Sequence, residues 1–277
     1  MDKNKINKPI IVVNLKTYKS GKEALKLAKA IEKVDKNIIV GVQASDLYLI
    51  SKNTKLQVYC QHADSFNVGR NTGYILPEAI KTSGAVGVFL NHSEHKLDFE
   101  ILDKTVRRCR EIGLKILVFA SDLQEAKKIE NLNADYLTVE PPELVAGDVS
   151  VSNARPELIS DVAKNLKSKF LVGAGIKNNN DVRKAMELGA SGIAVSSDIT
   201  TADNPLKALK ELIGKWKMRK IQIINFILAL FGVGFGISLF YLAKYFNLNY
   251  TYTKLIYIAA IILIVASVYE FFNKCLR

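Results

Sequence analysis

The sequence predicts an α/β fold in which an eight-stranded parallel β/α barrel is followed by two transmembrane helices. Eight apolar runs of strand length recur along residues 8–200. Most of these runs are continuous rather than alternating, as expected for parallel strands that are covered on both faces. Amphipathic segments with apolar residues at three- and four-residue spacing separate them. After residue 220 the chain contains two long apolar runs, which are typical of membrane-spanning helices.

Strands and helices alternate along the barrel region. We predict strands at Ile10–Leu15, Ile38–Val42, Leu56–Cys60, Val86–Leu90, Lys115–Ala120, Asp135–Val139, Lys169–Gly173 and Ser191–Val195. Helices are predicted at Gly21–Val34, Phe99–Ile112, Asp122–Asn131, Arg155–Leu166, Asp181–Leu188 and Pro205–Gly214. A doubly wound sheet, the alternative α/β fold, usually has a GxGxxG turn after its first strand. This chain has Asn14-Leu15-Lys16-Thr17-Tyr18 there, which favours the barrel.

The basic excess of the chain is concentrated in its C-terminal tail. Residues 1–214 contain 31 Lys/Arg and 26 Asp/Glu, whereas residues 215–277 contain 8 and 1. The tail charges flank apolar runs instead of alternating with aromatic residues, so they indicate an anionic membrane surface and not a nucleic acid. We therefore divide the chain into a barrel at 1–214, a basic juxtamembrane linker at 215–220 and a transmembrane helical hairpin at 221–277.

The predicted hairpin has two spans, at about 221–243 and 255–272. The first span contains 23 residues without a charge. At roughly 1.5 Å per residue, that length crosses a hydrocarbon core of about 30 Å. Basic residues before the first span and after the second predict a multi-pass protein of the cell membrane, with the barrel on the cytoplasmic side. The alternative is that the tail packs on the barrel as helices.

Cysteine and histidine spacing indicates neither a disulfide framework nor a metal site. The three cysteines, Cys60, Cys109 and Cys275, are far apart and form no CxxC motif. His92 and His95 are close in sequence, but no third ligand with suitable spacing accompanies them. The N-terminus has no apolar segment of signal-peptide length before the first strand. We therefore expect a barrel in a reducing compartment and no bound metal.

Polar and small residues follow the predicted strands at their C-terminal ends, where β/α barrels assemble their active sites. Glu140 directly follows a strand, Pro141 and Pro142 stiffen the next turn, and the later Ala146 and Gly147 are suited to a hinged lid. A carboxylate, an imidazole, an ammonium group and loops of small residues together favour a site for an anionic substrate. The candidates at these strand ends are Asn14, Lys16, Asn91, His92, Glu94, Glu140, Gly173, Gly175, Ser196 and Ser197.

Six short motifs occur in order along residues 8–213. They are Asn14-Leu15-Lys16-Thr17-Tyr18, Gln61-His62-Ala63-Asp64, Thr72-Gly73-Tyr74-Ile75-Leu76-Pro77-Glu78-Ala79, Leu90-Asn91-His92-Ser93-Glu94, Val139-Glu140-Pro141-Pro142-Glu143-Leu144 and Gly173-Ala174-Gly175-Ile176. Together they resemble the triosephosphate isomerase family, specifically its compact archaeal branch. The resemblance implies a TIM barrel that interconverts dihydroxyacetone phosphate and glyceraldehyde 3-phosphate without a cofactor. The tail after residue 214 has no counterpart in that family.

The resemblance also implies roles for the candidate residues. Glu140 would remove a proton from the carbon next to the carbonyl, and neutral His92 would polarise the substrate oxygens. Lys16 and Asn14 would hold the substrate and its developing negative charge, with Glu94 in a supporting hydrogen-bond network. The phosphate group of the substrate would be bound by Ala146, Gly173, Gly175, Ser196 and Ser197. Family members assemble through the loop after strand 3, here Asp64–Tyr74, so a homo-oligomer is expected.

The sequence departs from the family pattern in two phosphate-binding loops. Ala146-Gly147-Asp148 stands where the lid usually reads Gly-Thr-Gly, and Ser196-Ser197-Asp198 where archaeal relatives have Ala-Ser-Gly. A carboxylate roughly 7 Å from a phosphate repels one unit of its charge by about 2 kcal/mol at an effective dielectric of about 20. Phe119, where archaeal relatives tend to have cysteine, is interpreted as packing.

Three functions therefore remain open. The first is a membrane-tethered isomerase, and the second is a weakened or repurposed barrel that serves as a membrane-bound binding or scaffold module. The third is a barrel enzyme that acts on a different phosphorylated sugar or on a substrate without phosphate, because a fold does not fix its substrate. Intact Asn14, Lys16, His92 and Glu140 favour the first.

Overall fold

The computed structural model describes residues 8–145, 147, 149–214, 237–238, 256–262 and 264–265. The chain divides into two units, Met1–Gly214 and Lys215–Arg277. The first unit contains a closed barrel of eight parallel strands, which confirms the barrel part of the predicted fold class.

Each barrel strand pairs with the next strand along the chain, and the eighth closes the barrel on the first. The strands are β1 (Ile10–Asn14), β2 (Ile39–Val42), β3 (Gln57–Cys60), β4 (Gly87–Leu90), β5 (Lys115–Ala120), β6 (Tyr136–Val139), β7 (Phe170–Val172) and β8 (Gly192–Val195). They lie within the predicted runs because each run is a continuous stretch of buried apolar residues.

The helices of the first unit surround these strands. They are α1 (Gly21–Glu32), α2 (Leu47–Asn53), α3 (Pro77–Thr82), α4 (Phe99–Glu111), α5 (Leu123–Glu130), α6 (Val151–Ala154), α7 (Pro156–Asn165), α8 (Asn179–Glu187), α9 (Ser197–Thr200) and α10 (Pro205–Ile213). The sequence patterns did not predict α2, α3, α6 and α9. These helices have 4 to 7 residues, and so short a helix does not repeat an apolar period often enough to be recognised.

The barrel interior is filled with side chains from all parts of the sheet. The central cluster consists of Val12, Ile39, Tyr59, Phe89, Leu117, Phe119, Leu171 and Ala194. Phe89 fits only because β2 has a glycine opposite it: a Cβ on Gly41 would lie 2.0 Å from the Phe89 ring. The filled interior closes the barrel below its C-terminal end and provides a rigid base for the loops above.

Residues with positive φ occur just after three of the strands. Lys16 follows β1 with φ 45°, Asn91 follows β4 with φ 61°, and Ala174 follows β7 with φ 79°. A residue other than glycine rarely adopts this left-handed region, and such strain is concentrated at functional sites. All three positions belong to the motifs that point to an active site at this end of the barrel.

The second unit contains the predicted transmembrane hairpin, most of which lies outside the described residues. No helix among the described residues is long and apolar enough to cross a membrane. Residues 237–238, 256–262 and 264–265 are helical. In the stretches 256–262 and 264–265, Ile258, Ile261, Ile262 and Val265 are 47 to 61% exposed, whereas Ala260 is buried. The predicted linker at 215–220 also lies outside the described residues.

Candidate active site

Two cavities open at the C-terminal end of the barrel, and Lys16 and Tyr18 contribute to the walls of both. The small pocket has a volume of about 70 Å³ and lies between the loops after β1, β6, β7 and β8. Its wall includes Lys16, Glu140, Gly147, Gly175, Lys177, Ser196, Ser197 and Asp198. The large cavity, of about 690 Å³, is lined by residues that follow β1 to β4, among them Asn14, Lys16, Gln61, His62, His92 and Glu94.

Glu140 and His92 face each other between these cavities. Glu140 is 9% exposed and His92 is 8% exposed. Glu140 Oε2 lies 3.0 Å from His92 Nε2, but the ring N–H is out of line with it, and this buried oxygen has no hydrogen-bond partner among the described residues. A buried carboxylate oxygen without a donor is an acceptor that is ready to receive a proton or a hydrogen bond from a ligand.

The backbone after β4 fixes the tautomer of His92. The Glu94 backbone N–H donates to His92 Nδ1 at 3.1 Å. A nitrogen that accepts a hydrogen bond carries no proton, so a neutral His92 holds its proton on Nε2, the ring nitrogen on the side of Glu140. The edge of the Phe119 ring also packs against the His92 ring at a centroid distance of 4.7 Å. Phe119 therefore packs in the core, as interpreted from the sequence, and also positions His92.

Lys16 is held by both its side chain and its backbone. Its Nζ lies 2.5 Å from Glu94 Oε1 and its side chain is only 13% exposed. The Lys16 backbone N–H donates to Asn14 Oδ1 at 3.0 Å, and its carbonyl accepts from Gln61 Nε2 at 2.9 Å. These bonds stabilise the left-handed backbone at Lys16 and aim its ammonium group into both cavities.

Gln61 is a site residue to which the sequence analysis gave no role. Its Nε2 donates to Asn14 Oδ1 at 3.1 Å and to the carbonyl groups of Lys16 and Gly41. The amide thereby joins the ends of β1, β2 and β3. The sequence signal that could have identified Gln61 was its position at the end of a predicted strand. Asn14 and Asn91 have the same signal, so it did not single out Gln61.

A second hydrogen-bond cluster supports the turn that carries His92 and Glu94. Asn91 Nδ2 donates to the Phe119 carbonyl at 2.9 Å and to Glu125 Oε1 at 2.8 Å, while Asn91 Oδ1 accepts from the Leu97 N–H. Glu125 also accepts from Lys96 Nζ and from the Ser121 N–H. Burial acts to raise the pKa of Glu125, but the hydrogen bonds from Lys96, Ser121 and Asn91 outweigh it and hold the pKa below 4.5. Glu125 is thus an ionised anchor behind the turn that carries His92 and Glu94.

The loop after β7 leaves room for both the Glu140 carboxylate and the segment that begins at Val149. A Cβ on Gly173 would lie 2.5 Å from Glu140 Oε1, so only glycine admits the carboxylate in this position. Gly175 has φ 65°, and a Cβ there would lie 2.4 Å from the Val149 carbonyl oxygen. The Ala174 carbonyl accepts from the Val151 N–H at 3.1 Å. Gly173 and Gly175 therefore bring the β7 loop against Glu140 and against the segment after the lid.

Serine and aspartate side chains complete the small pocket. Ser196 Oγ is buried and has no hydrogen-bond partner among the residues described, which marks it as a donor or acceptor for a ligand. Asp198 is half-buried, and burial raises its pKa above 3.8 although the Lys177 charge opposes this. Ala146 and Asp148 lie outside the described residues, and of the three lid positions only Gly147 is seen in the pocket wall.

The histidines beside the large cavity stack on each other. The His62 and His95 rings are 4.1 Å apart at 21°, and His62 Nε2 is 3.3 Å from Asp64 Oδ1. Burial and the neighbouring His95 lower the pKa of His62 despite Asp64. Within the described part of the chain, no group of three or more His, Cys, Asp or Glu side chains is arranged to hold a metal ion.

Comparison with known proteins places this geometry in a family. A sequence model described as triosephosphate isomerase matches residues 9–214. The chain belongs to the triosephosphate isomerase family. It is 36% identical over 218 residues to a triosephosphate isomerase of Methanobacterium bryantii, covering 75% of this chain and 96% of that protein. It is 38% identical over 215 residues to one of Methanocaldococcus jannaschii, covering 74% and 98%.

A solved member of the triosephosphate isomerase family has the same barrel. The crystal structure of the enzyme from Bartonella henselae superposes with a TM-score of 0.59 and 18% identity, covering 74% of this chain and 98% of that one. Membership places the chain in a family of isomerases. The matched segment ends at residue 214, so the tail lies outside it.

Proposed function

We propose that the barrel is a triosephosphate isomerase that interconverts dihydroxyacetone phosphate and glyceraldehyde 3-phosphate through an enediolate. The observation that carries this proposal is the contact between Glu140 Oε2 and His92 Nε2 at 3.0 Å, with that carboxylate oxygen free of other hydrogen-bond partners among the described residues. Moving a proton between adjacent carbons requires a base and a donor to the neighbouring oxygens. Both groups stand side by side in a buried site.

Glu140 acts as the base in this mechanism. It takes the proton from the hydroxyl-bearing carbon next to the carbonyl and returns it to the former carbonyl carbon. One proton also moves from the hydroxyl oxygen to the former carbonyl oxygen, so the substrate is isomerised with no net gain of protons or electrons. Burial supports this role because only 9% of Glu140 is exposed, so the carboxylate is shielded from bulk water. Gly173 supports it by leaving space for the carboxylate.

His92 and Lys16 stabilise the negative charge that develops on the substrate oxygens. The Glu94 N–H on His92 Nδ1 leaves the Nε2 proton to be donated to a substrate oxygen. Lys16 supplies a positive charge at the wall of both cavities, and Asn14 holds its backbone in place. Glu94 supports both residues, through its side chain on Lys16 and its backbone on His92.

The small pocket receives the phosphate group. Gly175, Ser196 and Ser197 line it with short side chains that let an anion approach the backbone N–H groups, and Gly173 lies next to them. Ala146, which the resemblance adds to this set, lies outside the described residues. A coupled assay with glyceraldehyde 3-phosphate tests the isomerase proposal. The full-length protein should convert this substrate, and an E140Q variant should lose nearly all activity.

A weakened or repurposed barrel is the second candidate function, and Asp198 is the observation that favours it. This carboxylate lines the small pocket, where it opposes binding of a phosphate dianion. Thermal unfolding with 2-phosphoglycolate separates the two candidates. A raised midpoint supports the enzyme, whereas an unchanged midpoint supports a module that no longer binds phosphate.

We further propose that the tail tethers the barrel to the cytoplasmic face of the cell membrane. Residues 221–243 carry no charge, and the exposed Ile258, Ile261, Ile262 and Val265 form one apolar stripe on a helical segment. Flotation of full-length protein with vesicles of phosphatidylglycerol and phosphatidylethanolamine tests this. Protein that stays at the bottom of the gradient with vesicles present would contradict the tether.

Assembly into a homo-oligomer is also proposed, through the loop after β3. Phe66, Val68 and Tyr74 expose 40 to 73% of their surface there, and Phe66 and Tyr74 pack on each other at 4.4 Å. Exposed apolar side chains held in one loop are typical of contact surfaces. Light scattering after gel filtration in detergent should give a mass larger than one chain, and F66S/V68S should reduce it.

A further inference from the structure

Four charged side chains line the small pocket among the described residues, and they come from four different strand ends. Lys16 and Lys177 are cations, whereas Glu140 and Asp198 are anions. Lys16 is already paired with Glu94 at 2.5 Å. A phosphate monoester brings a charge of about −1.5 to −2 at neutral pH. With Lys177 removed, the wall would hold one cation against two carboxylates, an unfavourable setting for such a ligand.

The backbone on either side of Lys177 is fixed at the pocket rim. The Lys177 N–H donates to Asp181 Oδ2 at 3.0 Å, and the next residue, Asn178, caps α8. Asp181 is only 4% exposed and also accepts from Ser150 Oγ and Asn153 Nδ2, beyond the lid. The backbone position of Lys177 is therefore well defined, although the residue as a whole is exposed.

Lys177 and Asp198 both line the small pocket, and they follow β7 and β8, which are neighbouring strands of the barrel. Burial raises the pKa of Asp198, and the charge of Lys177 opposes this rise. A half-buried carboxylate next to a phosphate pocket needs a nearby cation if a dianion is to bind there. Lys177 is one of the two lysines of the described wall and lies on its β7 side, whereas Lys16 lies on its β1 side.

We propose that Lys177 is a substrate-binding residue that neutralises Asp198 and supplies the side-chain cation for the substrate phosphate. This inference rests on the proposed isomerase function and deepens it, because it names a specificity residue for the phosphate end of the substrate. Lys177 and Asp198 then act as a unit: Asp198 weakens phosphate binding, and Lys177 restores it.

A double-mutant cycle in the full-length protein tests the pair. K177M, which keeps the side-chain length, should raise KM for glyceraldehyde 3-phosphate and Kd for 2-phosphoglycolate by about tenfold. The kcat should change by less than about threefold, because the proton-transfer groups are untouched. D198N should lower both constants, and K177M/D198N should return them to within about threefold of the starting protein.

The matched control is K104M on α4, which removes an exposed lysine that does not line either cavity. Suppose that the unmutated protein converts glyceraldehyde 3-phosphate and that K177M has the same KM and Kd as K104M. This result would overturn the role of Lys177 and leave the isomerase proposal standing. A fall in kcat together with a lower unfolding midpoint in K177M would assign Lys177 a structural role and overturn its role in phosphate binding. If the unmutated protein neither turns over nor binds 2-phosphoglycolate, the isomerase proposal fails first and this inference with it.

Discussion

The Glu94 backbone N–H donates to His92 Nδ1, and this single contact at 3.1 Å determines which way the histidine proton points. The proton of a neutral His92 is then on Nε2, which lies 3.0 Å from Glu140 Oε2. A short turn after β4 thus sets the orientation of the His92 ring, while β6 sets the position of Glu140.

Replacing the base should abolish turnover with little effect on binding. E140Q keeps the size of the side chain but removes the proton acceptor, so kcat should fall by about 10³-fold while Kd for 2-phosphoglycolate changes by less than about threefold. Coupled turnover and calorimetric titration measure the two constants. A loss of inhibitor binding that matches the loss of kcat would mean that Glu140 acts mainly in binding.

Adding one methyl group at Gly173 should displace the base without unfolding the barrel. The new Cβ would lie 2.5 Å from Glu140 Oε1, and the carboxylate can move because it is the end of a flexible side chain. A displacement of roughly 1 Å costs about 10²-fold in kcat. In the E140Q background the same substitution should cost little more, since the base is already absent. An equal loss of kcat in both backgrounds would mean that the methyl group does not act by displacing the Glu140 carboxylate.

Glu125 should contribute stability that acid removes. Because its folded pKa lies below 4.5, the folded protein binds this proton less readily than the unfolded chain. The contribution is therefore complete above about pH 4.5 and is lost as pH falls through the lower folded value. E125Q should lower the free energy of unfolding at pH 7 by about 1 kcal/mol. Below pH 4.5 the free energy of unfolding of E125Q should fall less steeply with pH than that of the unmutated protein.

The matched control for Glu125 is Glu130 on α5. Its folded pKa is also lowered, by the Ser168 and Lys167 N–H groups acting against desolvation, but it does not touch the turn at Asn91. E130Q should change acid stability and leave kcat unchanged, whereas E125Q should also lower kcat a few-fold. Urea unfolding from pH 3 to 7 and coupled turnover check both variants, and equal kcat values would contradict the supporting role of Glu125.

Asp198 should have the opposite effect on stability. Its folded pKa is raised above 3.8, with burial as the main cause, so the ionised form destabilises the fold at neutral pH. The penalty is fully present above the folded pKa and disappears below about pH 3.8. D198N should raise the melting temperature at pH 7 by on the order of 2 °C, and the gain should shrink toward pH 4. The exposed Asp161 is the control, and a D161N gain of the same size would contradict the burial argument.

The barrel strands could be predicted from sequence because each is a continuous apolar run that ends at a polar or small residue. The location of Asn14, His92 and Glu140 at the C-terminal end of the barrel could be predicted for the same reason, since each lies at or just after the end of a buried strand. The helices α2 and α3 were missed because a segment of 6 or 7 residues shows less than two helical turns.

The contacts between strand ends could not be predicted from the sequence. Gln61 is 47 residues from Asn14, and Lys16 is 78 residues from Glu94, so neither spacing carries a local signal. Phe119 was interpreted as packing, and only the fold brings its ring edge against His92. The placement of Lys177 and Asp198 in one pocket wall is of the same kind, because single charges after two different strands have no shared pattern.

The central claim is that Glu140 and His92 perform isomerisation on a triose phosphate bound in the small pocket. The most direct measurement is turnover of glyceraldehyde 3-phosphate by the full-length protein, compared with E140Q purified in the same way. The account predicts turnover in the first and a loss of about 10³-fold in the second. Turnover in the unmutated protein no greater than in E140Q would contradict it.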